Sequence, residues 1–155
     1  MNRGPHSRVR VLIKRGRRTA FVIVLLAVAQ VVVGQCTNLN PFGTVAAPAN
    51  SIPLTISTCT FQNEYNTITG VVAGRTYTIT SSCGGYITVR RNTAGGAVVA
   101  QGNAPLTFTA TVSATHFIHY TTNAACGTAS NCCTTTITCT SCVTTPPPGA
   151  CTAVN

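Results

Sequence analysis

The amino-acid sequence predicts an all-β protein, an antiparallel sandwich of two sheets with about eight strands. Threonine dominates the body of the chain, and β-branched and aromatic residues favour strands. Apolar and polar residues alternate in short runs, and no segment keeps a 3.6-residue apolar period. Turn residues interrupt these runs roughly every 8–12 positions, a spacing typical of a sandwich or barrel.

Eight strands are predicted in chain order, separated by glycine-rich breaks. They span Leu54–Thr60, Tyr65–Val71, Arg75–Ser81, Tyr86–Arg91, Ala97–Gln101, Leu106–Val112, His116–Thr122 and Thr134–Thr140. His116–Thr122 is apolar on both faces, which predicts a strand in the middle of a sheet. The other strands alternate, so each buries one face, and two such sheets close by packing together.

Successive side chains of a strand point to opposite faces, so the sequence also assigns individual residues to the two faces of each strand. The residues predicted to face the core are Tyr77, Ile79, Ile87, Val89, Leu106, Phe108, Ala110, Val112, Ile137 and Cys139. The threonines between them are predicted to point outward in columns, namely Thr76, Thr78, Thr80, Thr107, Thr109, Thr111, Thr136, Thr138 and Thr140. One strand is expected to expose Tyr86, Thr88 and Arg90 in the same way.

Residues 1–34 have the pattern of a secretory signal peptide. Seven of the ten cationic residues lie in the first 18 positions, and an apolar run of about 14 residues follows. This run is shorter than the roughly 18–20 residues of a membrane-spanning helix. Small or short-branched residues at Val32 and Gly34 favour cleavage before Gln35. An uncleaved membrane anchor is the alternative, and secretion through the general export route or display at the cell surface is expected.

The charge balance excludes several functions. Beyond the leader only three arginines and Glu64 are charged, which argues strongly against a protein that binds nucleic acid. The chain has no Asp and a single Glu, which rules out paired-carboxylate and Ser-His-Asp catalysis and argues against a calcium loop. We therefore expect no enzyme activity, no cofactor and no metal.

Nine cysteines follow the predicted cleavage site, and in an exported chain they predict disulfides rather than a zinc cluster. The disulfide candidates are Cys36, Cys59, Cys83, Cys126, Cys132, Cys133, Cys139 and Cys142. The adjacent Cys132 and Cys133 are expected to bond to two different partners. We expect Cys126 to pair with one of them across a short loop.

The ninth cysteine, Cys151, is left over and is predicted to be free or to form an intermolecular disulfide. It follows a stiff run of three prolines, so residues 146–155 are predicted to be a linker or tail after a domain spanning 35–145. Two alternatives stay open. The chain is a piece of a longer modular protein, or its tail pairs with another chain.

The segment from Tyr65 to Thr80 contains Val-Ala-Gly-Arg-Thr-Tyr-Thr, at Val72–Thr78. This strand pair resembles that of secreted jelly-roll modules in bacterial surface and adhesin-like proteins, similar to pre-peptidase C-terminal domains. The resemblance covers roughly Thr55 to Thr140. It implies a jelly-roll topology and a non-catalytic accessory, ligand-binding or spacer role. The acidic loops seen in many relatives are missing.

Three groups of residues are candidate sites. Tyr86, Thr88 and Arg90 would form an exposed stripe that can contact a sugar or a carboxylate, although an ordinary solvated face is the simpler interpretation. His116 and His119 lie three apart on a strand and point to opposite faces, which predicts one packed and one exposed imidazole instead of a metal pair. Glu64 is interpreted as a solvated turn residue.

The outward threonine columns admit three interpretations. The simplest is the soluble surface of a nearly uncharged secreted domain. The second is an array that binds ice or a crystalline polysaccharide, although the sequence lacks the fixed-length repeat of a solenoid. The third is assembly through uncharged β edges. We expect a module for adhesion or presentation of a glycan or protein ligand, with self-association as the structural alternative.

Overall fold

The computed structural model describes residues 35–143. The predicted leader over residues 1–34, the predicted tail over 146–155 and Cys151 lie outside the described residues. Residues 35–143 form strands, turns and loops, with no helix among them. The prediction of an all-β domain is confirmed for this part of the chain.

Nine strands form two sheets. They are β1 (Asn40–Ala46), β2 (Leu54–Thr60), β3 (Glu64–Val71), β4 (Thr76–Ser81), β5 (Tyr86–Arg91), β6 (Val98–Asn103), β7 (Leu106–Thr109), β8 (Ala114–Thr121) and β9 (Cys133–Cys139). Sheet A has the order β1-β3-β8-β5-β6, and sheet B has the order β2-β9-β4-β7. The central position of β8 in sheet A is confirmed. Every pairing is antiparallel except that of β1 with β3, which is parallel.

Two differences from the prediction have local causes. Strand β1 was missed because Pro41 and Gly43 interrupt its pattern, and both residues are tolerated at the sheet edge that β1 occupies. Strand β7 ends at Thr109, because residues 111–113 bend away from sheet B. The prediction that Val112 faces the core is therefore wrong, and its side chain is 38% exposed.

The inner faces of the two sheets meet in one apolar core. Sheet A contributes Ile68, Ile87, Val89, Ile118 and Tyr120, while sheet B contributes Tyr77, Ile79, Phe108, Ile137 and Cys139. Most of these side chains are fully buried, and this confirms the predicted orientation of Ile87 and Val89 in sheet A and of all five residues named in sheet B. Complete burial of an aliphatic side chain contributes about 1.5–3 kcal/mol, so this core drives the sheets together.

One polar side chain, Asn66 of β3, crosses from sheet A to sheet B inside this core. It is fully buried, and its amide nitrogen donates to the hydroxyls of Thr60 at 3.0 Å and Thr135 at 3.4 Å. Its amide oxygen accepts a hydrogen bond from the backbone nitrogen of Gly43 at 3.1 Å. Burial raises the pKa of the neighbouring Tyr120 to about 12, and its hydroxyl lies near Asn66 and Thr135 without reaching hydrogen-bond geometry. Asn66 thus ties β1, β2, β3 and β9 together.

Four disulfides connect parts of the chain that are mostly far apart in sequence. They join Cys36 to Cys126, Cys59 to Cys132, Cys83 to Cys133, and Cys139 to Cys142. The prediction that Cys132 and Cys133 bond to two different partners is confirmed. The expected pairing of Cys126 with one of them is wrong, because Cys126 instead reaches back 90 residues to Cys36.

Candidate binding face

Nine threonines on the outer face of sheet B lie in three rows that cross the strands, and we call these nine residues the threonine face. The rows are Thr55-Thr136-Thr80, Thr138-Thr78-Thr107 and Thr140-Thr76-Thr109. Neighbouring strands lie about 4.8 Å apart, and alternate residues along a strand lie about 6.8 Å apart. The face is therefore a small two-dimensional array in which every side chain is a threonine.

Hydroxyl pairs join neighbouring columns of the threonine face. The Oγ1 atoms of Thr80 and Thr136 are 2.7 Å apart, those of Thr78 and Thr107 are 2.8 Å apart, and the Thr76 and Thr109 pair is at 2.9 Å. Threonine is branched at Cβ and stiff at χ1, and each pair restrains its two side chains further. The array is ordered before any partner binds, so binding loses little side-chain entropy.

The threonine face is electrically neutral. The four strands of sheet B contain no Asp, Glu, Lys, Arg or His. Removing water from neutral hydroxyls and methyls costs far less than removing it from charges. The aromatic rings of sheet B, Tyr77 and Phe108, are buried on its inner side. A partner of this face would meet only methyl groups, hydroxyls and short polar side chains.

Sheet A offers no comparable open face. The structure therefore corrects the candidate site that the sequence predicted on β5. The prediction that Tyr86, Thr88 and Arg90 form an exposed stripe is wrong. Their exposed fractions are 7%, 0% and 6%. Ile87 and Val89 on the opposite face of β5 are also fully buried, so β5 is covered on both sides. The alternation of apolar and polar residues along β5 distinguishes the two faces of the strand. It does not reveal that a distant part of the chain covers the outer face.

The cover over sheet A includes residues 35–39, which we call the N-terminal segment. The backbone nitrogen of Asn38 donates to Nδ1 of His119 at 2.9 Å, and its side-chain nitrogen donates to the carbonyl oxygens of Glu64 and Tyr120. The guanidinium of Arg90 donates to the carbonyl oxygens of Gln35 and Gly96, both at 2.8 Å. The Cys36–Cys126 disulfide completes the attachment.

The two strand histidines point to opposite faces of β8, as predicted, but both are fully buried. The prediction that one of them is exposed is wrong. His116 lies on the core side against Phe108, and its ring stands 5.8 Å from that of Phe108. His119 lies on the outer side, 5.1 Å from the ring of Tyr65 and beneath the N-terminal segment. They cannot act together on one ligand.

Burial keeps His119 in its neutral form. Burial, together with the smaller effect of the neighbouring charge of Arg90, lowers the pKa of His119 from 6.5 to about 4. A contact with the backbone of Ala94 acts in the opposite direction without satisfying Nε2 by a hydrogen bond. Burial also lowers the pKa of His116, against the effect of its hydrogen bond to the carbonyl of Ala114.

Acidification is expected to destabilise the fold through His119. The unfolded imidazole takes up its proton near pH 6.5 and the folded one near pH 4, so the unfolded state binds more protons between these values. The free energy of unfolding is therefore largest above pH 6.5 and falls as the pH drops towards 4. Urea unfolding across this range measures the slope, and a His119→Gln variant should show a smaller one. An unchanged slope in the variant would contradict this assignment.

The remaining candidates do not assemble into a reactive site. The eight described cysteines are all in disulfides, and no group of three His, Cys, Asp or Glu within residues 35–143 is placed to hold a metal ion. The carboxylate of Glu64 accepts a hydrogen bond from the backbone nitrogen of Phe61 at 2.8 Å, the role of a turn residue. A shallow groove at residues 48–54 is lined by prolines, aliphatic residues and Asn50.

Comparison with known proteins identifies no relative of this chain. No protein-family model, curated protein or solved structure matches the chain. The resemblance to secreted surface modules therefore stays a prediction. In the part of the chain that the structure describes, no helix is long and apolar enough to cross a membrane.

Proposed function

We propose that this protein is a secreted or cell-surface module without catalytic activity, which binds an extracellular partner through the threonine face. The observation that carries the proposal is the ordered, uncharged array of nine threonines on sheet B. The N-terminal segment covers part of the outer side of sheet A, so the threonine face is the larger regular surface left to a partner.

The proposal of export joins two observations. The first 34 residues have the composition of a signal peptide, with a basic start and a short apolar run. Four disulfides in the described residues are compatible with an oxidising, extracellular environment. A jelly-roll topology and a helical leader belong to the same proposal, which follows the resemblance to bacterial surface modules.

The chemistry of the threonine face favours a partner with an ordered, neutral, hydroxyl-rich surface. Regular rows of hydroxyl and methyl groups suit a solid that repeats on the same scale, and the face has no charge to select an ionic ligand. It also presents no exposed ring on which a single sugar could stack. Ice and crystalline polysaccharides share the required chemistry, and the experiment below separates them.

Binding is tested with ice crystals, microcrystalline cellulose and chitin. We expect the full chain to be retained on at least one of these solids. Thr107→Lys places a charged, bulky side chain on the array and is expected to weaken retention at least tenfold, which corresponds to about 1.4 kcal/mol. Thr107 is exposed, so the variant should fold normally.

The matched control is Thr93→Lys, an exposed threonine in the loop between β5 and β6. It adds the same charge outside the threonine face and should bind like the unmodified protein. Equal losses in both variants would show that net charge, and not the array, controls retention. Failure to bind any of the three solids would overturn the proposed partner chemistry.

Self-assembly is a second candidate, favoured by the edges of the two sheets. The edge strands β1, β6, β2 and β7 contain no charged residue, and charged side chains are a common means of blocking edge-to-edge pairing. Light scattering with and without reductant tests it. A strictly monomeric protein under both conditions would rule this candidate out.

A further inference from the structure

The predicted first residue of the mature chain, Gln35, occupies an unusual electrostatic position. Its backbone oxygen accepts a hydrogen bond from Nη2 of Arg90 at 2.8 Å. Cys36, the next residue, is 1% exposed and is fixed by its disulfide to Cys126. Residue 35 is thus held in place against the guanidinium of Arg90, a residue that is itself only 6% exposed.

No carboxylate balances the charge of Arg90 in the described residues. Glu64 is the only acidic residue in the chain, and it lies on β3, two strands away from Arg90 on β5. Its carboxylate is engaged by the backbone of Phe61. Buried charges are normally paired, so a second positive charge beside Arg90 is disfavoured, although water at the exposed Gln35 screens part of the repulsion.

Cleavage after Gly34 would create just such a second charge. The nitrogen of residue 35 lies within about 6 Å of the Arg90 guanidinium, since the backbone nitrogen and oxygen of one residue are about 3 Å apart. A new α-amino group is protonated at neutral pH. It would repel Arg90 across this short distance, and the only carboxylate side chain in residues 35–143, that of Glu64, is engaged by the backbone of Phe61.

We infer that Gln35 is a modification site, where the mature N-terminus is converted to pyroglutamate. The α-amino nitrogen attacks Cδ of the side-chain amide, a new C–N bond closes the five-membered lactam, and the original C–N bond of the amide breaks. Ammonia leaves with the proton that the amine gives up, and nothing is oxidised or reduced. The inference rests on the proposed export and cleavage.

The product suits the site better than the free amine. The lactam nitrogen is neutral, so the repulsion with Arg90 disappears. The backbone oxygen that accepts the Arg90 hydrogen bond is not part of the reaction and keeps its place. The side chain of Gln35 is exposed, so an extracellular cyclase or the uncatalysed reaction can reach it.

The test uses the full chain, produced with its leader in a secreting host. Mass analysis of the reduced N-terminal peptide is expected to show a chain that begins at residue 35 and has lost one ammonia. A peptide that begins with an intact Gln35 would overturn the inference and leave cleavage standing. A peptide that begins anywhere else would overturn both the inference and the proposed cleavage site.

A matched variant tests the role of Arg90. Gln35→Ala keeps the backbone oxygen but cannot cyclise, so its amine stays free. At about pH 6, where an α-amine is charged, the variant should unfold at lower urea concentration than the cyclised protein. At about pH 9.5, where the amine is neutral, the difference should close. A difference that is equal at both pH values would show that charge repulsion does not favour the lactam.

Discussion

Replacing both Cys36 and Cys126 with alanine is expected to lower the free energy of unfolding by about 4 kcal/mol. The bond between them spans 90 residues, and a cross-link that closes so long a loop removes much of the entropy of the unfolded chain. It also fastens the N-terminal segment over His119 and Arg90. Urea unfolding without reductant measures the loss.

The double replacement of Cys139 and Cys142 is the matched control. This bond spans only 3 residues, so its loss should cost less than about 2 kcal/mol. Each variant removes one disulfide, so the difference between their losses in free energy of unfolding reports the effect of loop length and of the N-terminal segment. A larger loss from the short loop than from the long one would contradict the role assigned to the N-terminal segment.

Asn66→Ala is expected to cost about 3 kcal/mol, because the half-buried backbone nitrogen of Gly43 and the buried hydroxyls of Thr60 and Thr135 lose a partner and a small cavity remains. The backbone nitrogen of Gly43 and the hydroxyls of Thr60 and Thr135 all bond to Asn66. Thr60 and Thr135 are 1% and 0% exposed, so their hydroxyls cannot turn to water and keep only a long contact with each other, at 3.3 Å. Thermal or urea unfolding of the variant gives the value.

Asn103→Ala serves as its control. Asn103 is exposed at the end of β6, and surface substitutions of this kind stay within about 0.5 kcal/mol. A change as small as this for Asn66→Ala would mean that the polar bridge between the sheets contributes nothing to stability. The explanation of how β1 is held beside β3 would then be wrong.

Alternation predicted the strands best where one face of the sheet meets water. In β4 and β9 the residues Tyr77, Ile79 and Ile137 are fully buried, and the threonines between them lie on the outer face, as expected. Binary patterning works here because each side chain has one of two environments. Strands β4 and β9 were therefore readable from local sequence alone, whereas the end of β7 was not.

Strand β5 shows where local sequence stops being informative. Thr88 and Arg90 alternate with Ile87 and Val89 in the same way as the threonines of β4 alternate with their neighbours, yet both are buried. The cause is a segment about 50 residues earlier in the chain, which lies over the outer face of sheet A. No pattern within β5 contains this information.

The threonine face illustrates the opposite case. The individual columns were predicted, but the lack of a fixed-length repeat counted against an array. A solenoid needs such a repeat because its neighbouring strands follow one another in sequence. In sheet B the neighbours are β2, β9, β4 and β7, so an ordered array forms from segments with no common spacing.

Disulfide mapping of the protein from its natural source tests most directly the claim that a covalently fastened N-terminal segment covers sheet A and leaves sheet B open. The expected linkages are Cys36–Cys126, Cys59–Cys132, Cys83–Cys133 and Cys139–Cys142. A bond between Cys126 and Cys132 or Cys133, or free thiols at Cys36 and Cys126, would contradict the account.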